Sequence, residues 1–329
     1  MSTADKLLAL LINKAGDWVS GEAIAQQLGI TRTSIWKSVK KLESQGHLIE
    51  SVRGQGYRYL EGTKISAVGI KKYLKSDVDL RVFDTIDSTN VYAREKLSSG
   101  EITKNTVIVS ESMSAGIGRL GRKFFSPKNT GMYVTFALPL PVETIVNPGR
   151  LTTSTAVAVS KMVKEVFDID LQFKWVNDLL YNNKKVGGIL TEAITDFESQ
   201  QFSSLAVGIG MNLATPDGGF PEEISQKAGA LTDEMTVSRN EVVGSLINYF
   251  FDMYQDYQDG RYIPQYRKKV VGVGQSVELK RGQMNLTGII REIDNDGCLV
   301  LDTKQGIERI NSGEITKLLL PIMNTEVRH

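Results

Sequence analysis

Two histidines and one cysteine in 329 residues leave the chemistry to Lys, Arg, Asp, hydroxyls and backbone amides. His47, His329 and Cys298 give a Ser-His-Asp triad or a Cys/His zinc site almost nothing to draw on. What the chain offers in clusters is Lys, Arg, Asp, hydroxyls and glycine. Such groups act by positioning reactants and offsetting negative charge, which is what phosphate and anhydride chemistry requires.

Four segments concentrate these residue types. The first is Asp87-Ser88-Thr89-Asn90, whose hydroxyls and amide can cap a helix or hydrogen-bond a small polar ligand. The second runs Gly116-Ile117-Gly118-Arg119-Leu120-Gly121-Arg122-Lys123-Phe124 and matches G-x-G-x-x-G. A dinucleotide fingerprint should leave a strand directly and open a helix. Here residues 111–115 intervene, and Phe124-Phe125-Ser126-Pro127 follows, which cannot start a long helix. Two readings stay open: a loop that folds over phosphates, with glycine for backbone access and arginine for forked donors, or a mobile surface hairpin. The third segment, Lys174-Trp175-Val176-Asn177-Asp178, leads through an Asn182-Asn183 turn to Lys185-Val186-Gly187-Gly188-Ile189. Its Lys185 and Asp178 read as a catalytic pair or as a structural one. The fourth, Gly208-Ile209-Gly210-Met211-Asn212, is a small-residue strand end that permits close approach to a ligand.

The elements that must position these segments fall into three blocks. In residues 1–62, Leu7, Leu8, Leu11 and Ile12 recur at helical spacing. Ser20 can cap a second helix that Gly29 stops, and Thr31 a third that Gly46 stops. Helices joined at 28–31 read as a helix-turn-helix, and 48–59 as a hairpin with a glycine tip, a wing. Ile35, Val39 and Leu42 lie on one face of the third helix, with Thr33, Lys37, Lys40 and Ser44 opposite. Trp36 falls on the flank as a packing or interface residue. The first 60 residues hold 8 Lys and Arg against 5 Asp and Glu, while the remainder is net −2, so positive charge gathers on this unit. Arg32, Thr33, Lys37, Lys40, Lys41, Arg53 and Arg58 are the expected DNA contacts. The competing reading is a winged helix used for protein contacts.

The pattern breaks at 60–64, the expected linker. From 63 to 268, strands at 106–110, 132–138, 171–175, 187–191 and 205–209 alternate with helices at 90–97, 151–167 and 240–257, an α+β domain. From 269 to 322, five short strands with an Asn295-Asp296-Gly297 turn suggest an SH3-like β-barrel. Residues 323–329 read as a flexible tail. No window approaches the ~20 apolar residues of a membrane span, and the first residues lack the basic and apolar pattern of a signal peptide, so none is expected. With a lone cysteine, the expectation is a cytoplasmic protein with no membrane partner.

Taken together, the order of modules and the four segments resemble the bifunctional biotin–protein ligases that double as biotin-operon repressors, over essentially the whole chain. The resemblance implies joining biotin to ATP as biotinyl-5′-adenylate, then transfer to a lysine of a biotin carboxyl carrier protein domain. It implies Mg²⁺ as a further cofactor. It also implies repression by an adenylate-bound homodimer on operator DNA with an inverted repeat, the adenylate acting as corepressor. Arg119, Lys185 and Asp178 would be catalytic, Asp178 also serving Mg²⁺ or the incoming lysine. Ser88, Thr89, Asn90, Met113, Ile117, Gly118, Arg119 and Lys185 would hold biotin. Gly116, Arg119, Arg122, Phe124, Asn177 and Asn212 would hold ATP or the adenylate. The family usually has glutamine, arginine and proline where Met113, Ile117 and Val176 stand. These departures leave two alternatives: a DNA-binding biotin sensor with weakened ligase activity, and a lipoate–protein ligase relative.

Overall fold

The structure is a computed structural model that describes residues 2–60, 64–141, 144–195 and 201–319. The expected linker at 60–64 falls partly, and the expected tail at 323–329 wholly, outside the described residues. Among those described, no helix is long and apolar enough to cross a membrane.

The first block is three helices and a hairpin: α1 (Thr3–Asn13), α2 (Gly21–Leu28), α3 (Arg32–Ser44), β1 (Leu48–Val52) and β2 (Gly56–Leu60). Ser20 and Thr31 cap α2 and α3 as expected, accepting from the amides of Ala23 and Ser34. Ser2 and Asp5 add a reciprocal capping box to α1. Gly29 closes α2 in the left-handed conformation, φ 64°. Leu7, Leu11, Ile24, Ile35, Val39, Leu42 and Tyr59 form the core of this unit. Its tightest point is Gly56, where φ is 108° and a Cβ would lie 2.1 Å from the Val19 carbonyl oxygen. That approach lets Val19 bridge to Tyr57 beside the hairpin.

The middle block comprises α4 (Ala67–Lys71), β3 (Asp79–Phe83), α5 (Thr89–Ser98), β4 (Thr106–Ser110), β5 (Gly131–Pro139), α6 (Pro148–Phe167), β6 (Gln172–Lys174), β7 (Asp178–Tyr181), β8 (Lys184–Thr195), β9 (Phe202–Asn212), α7 (Glu222–Ser225), α8 (Arg239–Tyr254) and α9 (Ile263–Lys269). Its seven-stranded sheet has the order β3-β4-β5-β9-β8-β7-β6. Only β3 and β4 run parallel; every other neighbouring pair is antiparallel. Strand alternation divides the side chains between two faces. Val107, Val109, Val134, Phe136, Leu205 and Val207 join the main core with residues of α6 and α8. Ile108, Ala137 and Ala206 point the other way, against Ala93 and Leu97 of α5. The two alanines keep that face shallow and bring α5 close to the sheet.

Several expectations change here. Helices α4, α7 and α9 add to the expected set, β7 forms the first arm of the expected Asn182-Asn183 hairpin, and β8 and β9 run well beyond their expected ends. Helix α8 stops at Tyr254, before a short 3-10 turn at Tyr257–Asp259. The β8 extension is the largest difference, because sheet pairing with β9 carries Glu192 to Thr195 past the glycine pattern.

The last block is an antiparallel sheet of β10 (Ser276–Arg281), β11 (Met284–Ile293), β12 (Leu299–Thr303), β13 (Gly306–Ile310) and β14 (Glu314–Leu319), in the order β13-β12-β11-β10-β14. Irregularities at Glu278/Leu279 and Ile290/Glu292 bend it. The Asn295–Gly297 turn docks on the start of α6. There Asp296 receives Asn147 at 3.0 Å and Arg150 at 2.9 Å, and Trp175 donates to the Gly297 carbonyl at 3.0 Å.

One buried titratable group makes the winged-helix unit sensitive to pH. His47 sits with Nδ1 3.2 Å from the Tyr59 hydroxyl. Burial holds its imidazole down at about 4, with Lys64 adding to the effect and Glu111 opposing it. The ordinary value is 6.5, so between these two limits the unfolded chain binds more protons. Stability is therefore fully present above pH ~6.5 and falls as pH drops toward ~4, by at most ~1.4 kcal/mol per pH unit. His47→Gln is expected to flatten this part of the stability curve in denaturant titrations at several pH values. Identical slopes in variant and wild type would exclude His47 as the source.

Candidate active site

The four polar segments converge on one cavity of about 300 Å³ between the sheet and the glycine-rich loop. Its inner end is the start of α5. Ser88 caps that helix through the Val91 amide, so the capping reading is correct, and the same residue also lines the cavity. Thr89 donates from its amide and hydroxyl toward the Met113 sulfur at 3.4 and 3.6 Å. Asn90 is engaged on both sides. Its Oδ1 accepts from Thr135 at 2.8 Å, and its Nδ2 donates to Glu192 at 2.9 Å and more loosely to the Leu190 carbonyl. Arg94 holds the same Glu192 at 3.0 Å. Asn90 therefore braces the cavity wall with its polar atoms already committed to protein.

The glycine-rich segment forms a small closed hairpin over the opening. Phe124 N donates to the Gly116 carbonyl at 2.8 Å and Gly118 N to the Arg122 carbonyl at 2.7 Å. The tip is a single 3-10 turn, Arg119–Gly121, with no helix opening behind it, which removes the dinucleotide reading. Gly118, Arg119, Arg122 and Phe124 line the cavity together with Ile117. Gly116 does not. A Cβ there would meet the Phe124 carbonyl at 2.6 Å and the Ser126 hydroxyl at 2.7 Å, so its role is to let the hairpin close.

The third segment supplies the charged wall. Lys174 stands opposite Asp178 across the β6–β7 pair, and Asn182 and Asn183 turn the chain with φ of 49° and 61°. Lys185 then returns to Asp178, Nζ to Oδ1 2.5 Å. Asn177 accepts from Arg119 at 3.0 Å and donates to the Ile189 carbonyl at 3.2 Å. Arg119 also donates to the Gly313 carbonyl at 3.2 Å. Burial lowers the Arg119 pKa, opposed by the charges of Asp178 and Glu314. Arg122 makes a forked pair with Glu314 at 2.6 Å on both arms, which raises the arginine and lowers the carboxyl. The last block thus contributes Gly313 and Glu314 to the rim, a contribution that the residue pattern near 314 does not signal.

The fourth segment is the floor. Gly210 lies under Phe124, whose ring a Cβ would meet at 2.6 Å. Asn212 lines the far end and donates to the Gly229 carbonyl at 2.9 Å. Sequence reasoning missed Phe220, Ile224, Lys227 and Ala228 here. The available signal was two apolar side chains, Phe220 and Ile224, in a loop otherwise written in turn and acidic residues. The Lys227 carbonyl accepts from Lys185 N at 2.8 Å, tying this loop to the charged wall.

Six cations line the cavity against two carboxylates, Asp178 and Glu314. A cleft of that balance suits a polyanion at one end and an uncharged polar group at the end formed by Ser88, Thr89 and Met113. Among the described residues no group of three or more His, Cys, Asp or Glu could hold a metal by itself.

The expected DNA contacts divide. Arg32, Thr33, Lys37, Lys40 and Lys41 on α3 and Arg53 in the β1–β2 turn are exposed. Lys40 is paired with Glu43 at 2.7 Å. Arg58 is engaged within the hairpin: its Nε donates to Glu50 at 2.8 Å, and its guanidinium lies 4.7 Å from the centre of the Trp18 ring.

Residues 3–58 match the helix-turn-helix domain, 82–212 the biotin/lipoate A/B protein ligase family and 272–318 the biotin protein ligase C-terminal domain. The chain is 31% identical over 324 residues to the bifunctional ligase/repressor BirA of Bacillus subtilis (strain 168), covering 95% of this chain and 98% of that protein. It is 28% identical over 320 residues to the protein of the same name from Escherichia coli (strain K12), covering 94% and 96%. Its fold superposes on the biotin protein ligase from Aquifex aeolicus in complex with biotin and ATP with a TM-score of 0.60 at 26% identity, over 73% of this chain and 98% of that one.

The Gly208 contact gives a test of the cavity's construction. A Cβ on Gly208 would lie 2.1 Å from Asn90 Oδ1, whereas one on Gly188 meets nothing nearer than Lys185 Cε at 3.5 Å. Gly208→Ala is expected to destabilise the fold by about 1–3 kcal/mol in chemical denaturation, and Gly188→Ala by much less. Equal effects would show that Asn90 moves aside freely and does not brace the wall.

Proposed function

Because the chain belongs to the family of bifunctional biotin ligase/repressors, we propose that its cavity joins biotin to ATP and that its winged helix carries the product's signal to DNA. The observation that carries the ligase half is the meeting of Arg119, Lys185 and Asp178 in one partly closed cavity, beneath a loop that itself supplies the arginine. Biotin's carboxylate attacks the α-phosphate of ATP, pyrophosphate leaves, and biotinyl-5′-adenylate forms. An amine from a carrier-protein lysine then attacks the acyl carbon, and AMP leaves. The first step brings two anions together, which Arg119 and Lys185 offset from opposite walls. Asp178 holds the Lys185 ammonium at 2.5 Å and so aims it at the reacting oxygens. The hairpin at 116–124 covers the anhydride and limits its hydrolysis.

Ser88, Thr89 and Met113 are assigned to the ring end of biotin and the Phe124–Asn212 end to the adenylate. Mg²⁺ fits as an ion carried mainly by phosphate oxygens, since Asp178 is the one cavity carboxylate beside the charged wall and Mg²⁺ needs few protein ligands. When bound, it would further neutralise the triphosphate. The three modules are assigned to residues 1–62, 63–268 and 269–322, in a cytoplasmic protein.

One feature favours a second reading, a biotin sensor with weakened ligase activity. The Met113 thioether stands where the family has an amide, and Ile117, 41% exposed, stands where it has a cation. The distinguishing assay incubates the purified chain with ATP, Mg²⁺, labelled biotin or lipoate, and a carrier domain. Covalent biotin label supports the ligase, label from lipoate alone the lipoate relative, and adenylate without transfer the sensor. Lys185→Ala and Asp178→Ala are each expected to lower transfer more than about tenfold with an unchanged melting profile. Full activity in either folded variant would remove that residue from the catalytic set.

The regulatory half makes a separate prediction. Biotin plus ATP is expected to convert monomer to dimer in sedimentation and to tighten binding to an inverted-repeat duplex, since two half-sites read by a symmetric dimer multiply specificity. Ligand binding and dimerisation would then share a coupling free energy. Equal DNA affinity and an unchanged monomer fraction with and without the two ligands would rule this out.

A further inference from the structure

Trp36 has no role in the ligase cavity and none in the winged-helix core. Its side chain is 55% exposed. The other two tryptophans are occupied: Trp175 is buried and donates to the Gly297 carbonyl, and Trp18 lies beneath the guanidinium of Arg58. Residues 32, 33, 36, 37 and 40 form an exposed stripe along α3 that starts on the flank of the buried Ile35, Val39 and Leu42 face and runs to the side opposite. Trp36 lies on its flank, with Arg32 one turn before it, Lys40 one turn after it and Lys37 beside it, all exposed. The indole offers a flat apolar surface among cations, which a partner carrying both negative charge and an apolar group could cover.

The partner must be polyanionic and must also offer apolar surface at the depth that a helix reaches. A second copy of this stripe is a poor match, because it carries the same positive charge. The major groove of DNA fits both demands: phosphates line its rims, and the thymine C5 methyl is the apolar group on its floor. In the wing Arg58 is paired with Glu50 and Arg53 is exposed, so the larger cluster of exposed cations lies on α3.

We propose that Trp36 is a base-reading residue whose indole packs on a thymine methyl in each half-site, while the cations around it hold phosphates. The proposal rests on the DNA-binding half of the function proposed above. The experiment begins with selection from a randomised duplex library by the full-length protein in the presence of biotin and ATP. Each thymine common to the enriched duplexes is then replaced by deoxyuridine, which lacks only the methyl. Affinities are measured for the wild type, Trp36→Phe and Trp36→Ala, with biotin transfer as the check that each variant is folded. Wild-type protein is expected to lose about five- to tenfold at one thymine per half-site. Trp36→Phe should keep part of that preference, and Trp36→Ala should bind the two duplexes alike. Three results overturn the proposal alone: no deoxyuridine-sensitive position in wild type, an undiminished preference in folded Trp36→Ala, or a uniform loss of affinity that leaves the preference intact. If wild-type protein enriches no sequence, the DNA-binding reading falls and this proposal falls with it.

Discussion

A fully buried ion pair holds the molecule's working parts in one frame. Arg239 and Glu111 meet at 2.5 Å with side-chain exposures of 0% and 2%. Two charges removed from water carry a penalty of several kcal/mol each, which only good geometry and additional hydrogen bonds offset. Those bonds are present. Arg239 also donates to the Gly131 carbonyl at 3.1 Å, and the second oxygen of Glu111 accepts from the Ile65 amide at 2.5 Å. The pair therefore ties together the chain leaving the winged helix, the end of β4, the start of β5 and the start of α8. Asn240, next to Arg239, extends the junction by receiving the Ser66 amide and donating to the Lys64 carbonyl. Removing either charge would strand the other, a loss of ~3–5 kcal/mol at the point where the DNA-reading and ligase blocks join.

From that junction the chain runs directly into the cavity. Glu111 is followed by Ser112, whose hydroxyl lies 3.0 Å from that of Thr85, and by Met113, against Thr89. The hairpin that covers the opening begins three residues later. Its outer end is held by the last block through Arg122 and Glu314, its inner side by Asn177 through Arg119. The cover is thus tied to protein at both arginines, and a bound polyanion would compete with Asn177, Gly313 and Glu314 for them. Ligand binding and the placement of the last block are in this way drawn from the same set of charge-assisted hydrogen bonds.

Local pattern was enough for much of this. The caps at Ser20 and Thr31, the stop at Gly29, the paired-asparagine turn and the five short strands each depend on residues within a few positions, and each stands where the spacing placed it. Two histidines and one cysteine pointed away from a triad or a Cys/His metal site, and the clustered Lys, Arg and glycine pointed toward phosphate chemistry. The motifs, read together, also identified the family to which the chain belongs.

Tertiary structure decided the rest, because the deciding partners lie far apart in sequence. Glu314 reaches Arg122 across 192 residues, and Glu192 reaches Asn90 across 102. Nothing local to Asn90 reveals that its amide is already committed. Gly116 and Gly210 look alike in sequence, yet one lets a hairpin close and the other makes room for Phe124. Side-chain type and short-range spacing determined which groups this protein has for chemistry. Which of them are free to act was settled only when folding brought each one beside its partner or left it exposed, like Trp36.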